Sequence, residues 1–172
     1  MSMTCVFSET DNGIKIDFET RFELINPTLG TQPFKLYLAF EKAEHPELKK
    51  VTFTGDILYG KDARFSFRDE EKFVLEYQGK EANIKPEKTG ERYWFTADYS
   101  LEYPTASGFH VQSFGYPTIE FRLTVQKPKG LRVSASPTSG HNENEWIYRD
   151  LFMIGDHIQI RWEQSESPTK DS

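Results

Sequence analysis

The sequence holds a single cysteine, Cys5, in 172 residues, so no internal disulfide can form. A domain of this size without bridges fits a reducing compartment, and a cytoplasmic location is the expectation. Long apolar runs are missing as well. The longest strictly apolar stretch is Leu151-Phe152-Met153-Ile154, far short of the roughly 20 residues that a membrane-spanning helix requires. Met1 to Thr10 shows neither the basic start nor the apolar run of a signal peptide. Basic charge is also scarce: 21 Lys and Arg stand against 27 Asp and Glu, a net charge of −6. Phosphate backbones and anionic lipid surfaces call for basic patches, so neither nucleic acid nor membrane is expected as a partner. The glycines are scattered as turn residues rather than gathered into a phosphate-binding loop. No long segment repeats apolar residues at helical spacing, so few or no helices are expected.

What the chain has instead is alternation. Ile14, Ile16, Phe18, Phe22 and Leu24 fall on one parity, against Lys15, Asp17, Glu19, Arg21 and Glu23 on the other. A strand sends successive side chains to opposite faces, so such a stretch is a ribbon with one dry and one wet face. Tyr116 to Val125 repeats the pattern, with Ile119, Phe121, Leu123 and Val125 expected inward, and Ile158, Ile160 and Trp162 repeat it again near the end. Phe65 and Phe67, then Phe73, Leu75 and Tyr77, read as a hairpin around Asp69-Glu70-Glu71. Asp11-Asn12-Gly13 reads as a turn in which Gly13 supplies positive φ. Glu41-Lys42-Ala43-Glu44 could form a single helical turn before Pro46. Leu131, Val133 and Ala135 are expected to return antiparallel to the 116–125 ribbon. Aromatic residues make up 15% of the chain, which suits pleated, half-buried surfaces.

The expected fold is therefore all-β: a single antiparallel β-sandwich over residues 1–163, with a closed β-barrel as the alternative. A chain of this length buries about 70% of its unfolded surface, enough for one real core. The polar stretch 164–172 is expected to be a disordered tail.

Catalytic and metal chemistry find little support in the pattern. The four histidines, His45, His110, His141 and His157, show no His-x-x-x-His spacing. His141, Glu143 and Glu145 would share a face only on one continuous strand, and the plainer reading of that stretch is a hydrated loop. Asp69-Glu70-Glu71 lacks the periodic ligands of a calcium loop. Cys5 could pair with a histidine, but it lies in an apolar strand, where a thiol is ordinarily buried and inert. No serine sits in a Gly-x-Ser-x-Gly turn. No enzyme activity, cofactor or metal is expected.

Known β families give little more. The early Gly-x-Trp of lipocalins and the cupin histidine pattern are absent, and one cysteine rules out the immunoglobulin bridge. Gly115-Tyr116 followed by Glu120-Phe121 resembles part of the Gly-Trp-Gly-Glu-Phe run of the YEATS acyl-lysine readers. The spacing here is longer by two residues and the second glycine is lacking, so no residue role is carried over.

The function expected is a non-enzymatic binding or adaptor module with a protein partner. The alternative is a small-ligand or glycan-binding β domain that uses exposed aromatics. The candidate binding residues are Trp94, Trp146, Tyr148 and Tyr116. Trp94 and Trp146 follow the two long polar segments, Gly79 to Arg92 and Pro137 to Glu145, and tryptophan and tyrosine are frequent interface anchors. Packing of both tryptophans into the ends of the core is the competing reading.

Overall fold

The computed structural model describes the backbone of residues 1–25, 32–33, 37–41, 44–53, 56–57, 63–69, 72–77, 83–84, 92–138 and 141–164. Every regular element among them is a strand. In chain order they are β1 (Ser2–Thr10), β2 (Gly13–Ile25), β3 (Gln32–Pro33), β4 (Tyr37–Glu41), β5 (Glu44–Phe53), β6 (Asp56–Ile57), β7 (Ala63–Asp69) and β8 (Lys72–Tyr77). Then come β9 (Asn83–Ile84), β10 (Arg92–Tyr103), β11 (Gly108–Ser113), β12 (Phe121–Gln126), β13 (Leu131–Ser136), β14 (His141–Asn142), β15 (Glu145–Tyr148) and β16 (His157–Gln164).

An eight-stranded sheet runs β14-β15-β12-β1-β2-β10-β5-β6, and a three-stranded sheet runs β11-β16-β13. Their apolar faces meet. Met3, Cys5, Phe7, Ile14, Ile16, Phe18, Phe95, Tyr99, Leu101, Phe121, Leu123 and Val125 come from the large sheet, and Leu131, Ala135, Ile158, Ile160 and Trp162 from the small one. All are buried, and they form one core. The architecture is a β-sandwich; the large sheet ends in β14 and β6 and does not close into a barrel. The predicted hairpin around Asp69 is present as β7 and β8, in a further sheet, β4-β8-β7. In that sheet β4 lies beside β11.

Several expectations need correction. The sheets are not wholly antiparallel: β1 runs parallel to β12, with Ser2 opposite Arg122 and Val6 opposite Gln126. Alternation assigns a face to each residue but is blind to strand direction. β13 does not return beside β12. It pairs with β16 in the other sheet, so the Lys127-Pro128-Lys129-Gly130 turn carries the chain across the sandwich. Gly130 has φ 91°, Lys127 Nζ donates to the Leu131 carbonyl at 2.8 Å, and Leu131 N–H donates to the Pro128 carbonyl at 3.3 Å.

Gly13 does close the β1–β2 hairpin opposite Thr10, but positive φ is not its reason. A Cβ there would stand 2.0 Å from the Tyr103 carbonyl oxygen, so the residue is required by close backbone approach. Glu41 ends β4 and Glu44 begins β5, so they do not open a helix; Lys42 and Ala43 lie outside the described residues. Pro46 sits inside β5, where the register with β10 shifts between Ser100 and Glu102. At such an irregularity a missing N–H is tolerated. β16 continues to Gln164, which pairs with Leu131. The remaining residues, 165–172, lie outside the described ones, as does most of the polar segment from Gly79 to Glu91.

Candidate interaction surface

The four aromatic residues read from the sequence do not form one patch. Trp94 is 52% exposed on the outer face of the large sheet, opposite Glu23 of β2. Tyr116 is 38% exposed, in the loop that leads into β12. Trp146 and Tyr148 are buried on the inner face of β15, opposite Leu123 and Phe121. The strands that follow the two polar segments, β10 and β15, also begin at opposite ends of the large sheet. β10 and β12 run in the same direction, through β1 and β2, whereas β15 runs against β12. Arg92 therefore stands at the end where β12 begins, and Glu145 at the other. His141 and Glu145 stand on the two arms of the β14–β15 hairpin, so 141, 143 and 145 do not line one strand. Among the described residues no group of three His, Cys, Asp or Glu side chains is placed to hold a metal ion.

A different surface stands out. The 116–120 stretch, expected to be strand, is bent at Tyr116 and Ile119 and holds a single bridge residue; β12 starts only at Phe121. Thr118 pairs with Phe152, each N–H donating to the other's carbonyl at 2.9 and 2.8 Å. Further along, Phe114 N–H donates to the Asp156 carbonyl at 3.0 Å and Gly155 N–H to the Phe114 carbonyl at 3.1 Å. Gly155 takes φ 95°, and the Asp156 carboxylate accepts the Met153 N–H at 2.7 Å. Two loops are thus latched to each other by four backbone hydrogen bonds.

Beneath the latch lies an aromatic plug. Phe114 stacks on Phe152 with centroids 4.4 Å apart and meets Phe121 edge-on at 5.4 Å. Tyr148 meets Phe152 edge-on at 5.8 Å. Burial pushes the Tyr148 hydroxyl up to about 12, which keeps it protonated, and its oxygen has no hydrogen-bond partner among the described residues. An antiparallel bridge sends the neighbours of Thr118 and Phe152 to the side opposite the plug. Ile119, Leu151 and Met153 accordingly face outward, 75%, 59% and 53% exposed, with Ile154 at 69%. Tyr116 is exposed in the first of the two loops, so the hydrogen-bonded pair of loops carries an exposed apolar tip.

Sequence reasoning missed this tip. Ile119 was assigned to the dry parity, and Leu151 to Ile154 was read only as the longest continuous apolar run. The legible signal is their setting: Gly115 and Pro117 on one side and Gly155-Asp156 on the other are turn residues, and a turn cannot bury every member of a four-residue apolar run. Catalytic candidates fare differently. Cys5 is fully buried, and burial pushes its thiol upward, so it is a neutral core residue.

The fold and this surface define an all-β sandwich with an apolar loop tip. No family model matches the sequence, and no curated protein matches it in a sequence search. Among solved structures, native leukotriene A4 hydrolase from Saccharomyces cerevisiae aligns at 10% identity and TM-score 0.48. A second structure of native yeast leukotriene A4 hydrolase aligns at 11% and 0.47. Both alignments cover 98% of this chain and 29% of the hydrolase. An M1 zinc metallopeptidase from Deinococcus radiodurans aligns at 9% identity and TM-score 0.42, over 94% of this chain and 41% of that one. The chain spans less than half the length of these proteins, and at such values the likeness carries no argument about activity.

Proposed function

We propose that the chain is a non-enzymatic binding module of the cytoplasm that docks a protein partner through the apolar tip. The observation that carries this reading is the exposure of Ile119, Leu151, Met153 and Ile154 on loops that are hydrogen-bonded to each other and seated on Phe114 and Phe152. Contiguous exposed apolar side chains are costly in water and mark interaction sites. Loops already held in place have little conformational freedom to lose on docking, which favours affinity. Methionine and tyrosine are enriched in such interfaces. The net charge of −6 weighs against a nucleic acid or an anionic lipid surface in that role. The sugar-stacking alternative is less well supported, because Trp146 and Tyr148 offer no free ring face.

The test is affinity capture from native lysate with the wild type, an Ile119→Ser/Met153→Ser double variant, and Trp94→Ser as a surface control. Proteins captured by the wild type and the control but lost from the tip variant are the expected result. Equal recovery by all three folded proteins would overturn the proposal.

A further inference from the structure

A second surface lies away from the tip, along β13. This six-residue strand pairs with β16 on one side, and among the described residues nothing pairs with its other side. An open groove of about 1050 Å³ follows it. The groove is lined by Val133 and Ala135, on the inner face of the strand, and also by Arg132 and Ser134, on the outer face. The groove also touches Arg161 and Trp162, on the two faces of β16, so it wraps the margin of the small sheet, where β13 is the last strand. The backbone N–H and C=O groups of that edge therefore open into the groove, and they need partners. In the large sheet β14 and β6 cover only two residues each of β15 and β5, so its margins are partly unpaired too among the described residues, but the groove follows β13.

The charges around the groove are biased. Lys127, Arg132 and Arg161 line it together with Glu143 and Glu163, three cations to two carboxylates in a chain whose net charge is −6. Arg132 reaches Glu163 at 4.0 Å. Lys127 Nζ donates to the Leu131 carbonyl and Arg161 Nε to Gln159 Oε1, so among the described residues neither cation has a carboxylate partner. The indole of Trp162 also lines the groove, and its buried Nε1–H has no acceptor among the described residues.

We propose that this edge binds an extended acidic peptide segment of a partner protein, which adds as a fourth strand to β11-β16-β13. An extended backbone supplies the alternating donors and acceptors that a free edge lacks. Six residues of β13 match a peptide of about 20 Å, at roughly 3.3 Å per residue. Acidic side chains on that peptide meet Arg161 and Lys127. The site is separate from the tip and does not depend on the tip's role.

The test is selection of a displayed random decapeptide library on the intact protein. The enriched peptide is then synthesised with a fluorescein label and titrated by anisotropy, and amide hydrogen exchange is followed in its presence. Enrichment of acidic peptides is expected, with slowed exchange confined to the β13 amides. Affinity is expected to fall at least tenfold in Arg132→Glu/Arg161→Glu, whose side chains are exposed and whose fold is checked by melting. It should be unchanged in Ile119→Ser/Met153→Ser. The proposal is overturned by failure to enrich any peptide, by enrichment of basic or neutral sequences, by protection elsewhere in the fold, or by indifference to the charge reversal.

Discussion

The hydroxyl of Tyr103 and Nδ1 of His110 stand 3.0 Å apart inside the sandwich, both side chains buried. Whichever of the two donates, Nε2 of the same imidazole is left buried without a partner among the described residues. Phe18 lies against the ring at 4.7 Å. Burial pushes His110 down to about 4 from its ordinary 6.5, so the native state excludes a proton that the unfolded chain accepts. Stability from this group is complete above about 6.5 and is lost as pH falls towards 4. The gap corresponds to on the order of 3 kcal/mol. Urea titrations across that window should show the decline in the wild type and a flatter profile in His110→Phe, whatever the variant's absolute stability.

Asp98 works with the opposite sign. Burial raises its carboxyl above the ordinary range, and Glu19, directly opposite on β2, raises it further despite Lys50, Arg21 and Lys49 nearby. A raised folded value means that the charged form costs stability at neutral pH and that the cost disappears on acidification. Asp98→Asn is expected to melt higher than the wild type at pH 7 and at the same temperature at pH 3.

Phe121 is wholly buried between Phe114 and Tyr148. Phe121→Ala should cost about 3–5 kcal/mol through lost burial and a residual cavity. Chemical denaturation measures it, and a variant as stable as the wild type would contradict the packing.

Gly13→Ala is expected to destabilise by about 1–3 kcal/mol, because the new methyl meets backbone and not a movable side chain. Ser8→Ala, in the same hairpin and exposed, should stay within about 0.5 kcal/mol of the wild type. Parallel thermal melts separate the two.

Cys5 should resist iodoacetamide in the native protein and react once denaturant unfolds it, since burial holds the thiol neutral and out of reach. Mass spectrometry of the labelled chain reads the outcome directly, and rapid native labelling would place Cys5 outside the core.

Much of the fold is legible in residue order because alternation is a local property. The inward set Ile14, Ile16, Phe18, Phe121, Leu123, Ile158 and Ile160 follows from period-two spacing alone, and all are buried. The turn at Asp11-Asn12 and the hairpin of β7 and β8 follow from short-range turn chemistry. The candidate surface is less legible. Trp146 and Tyr148 are aromatics after a polar segment, as an interface residue often is, but they point inward because β15 adds to the edge of β12 with Tyr148 facing Phe121.

Strand partnership is the other quantity that residue order leaves open. Nothing local in Leu131 to Ser136 says that it pairs with β16 across the core and not with β12 beside it in sequence. Nothing in Ser2 to Val6 says that it lies parallel to a strand some 120 residues away. These choices are settled by which arrangement buries both apolar faces at once, a property of the whole packed chain. The same holds for Ile119. Its parity marked it for the core, and the bridge between Thr118 and Phe152 turned it out to solvent.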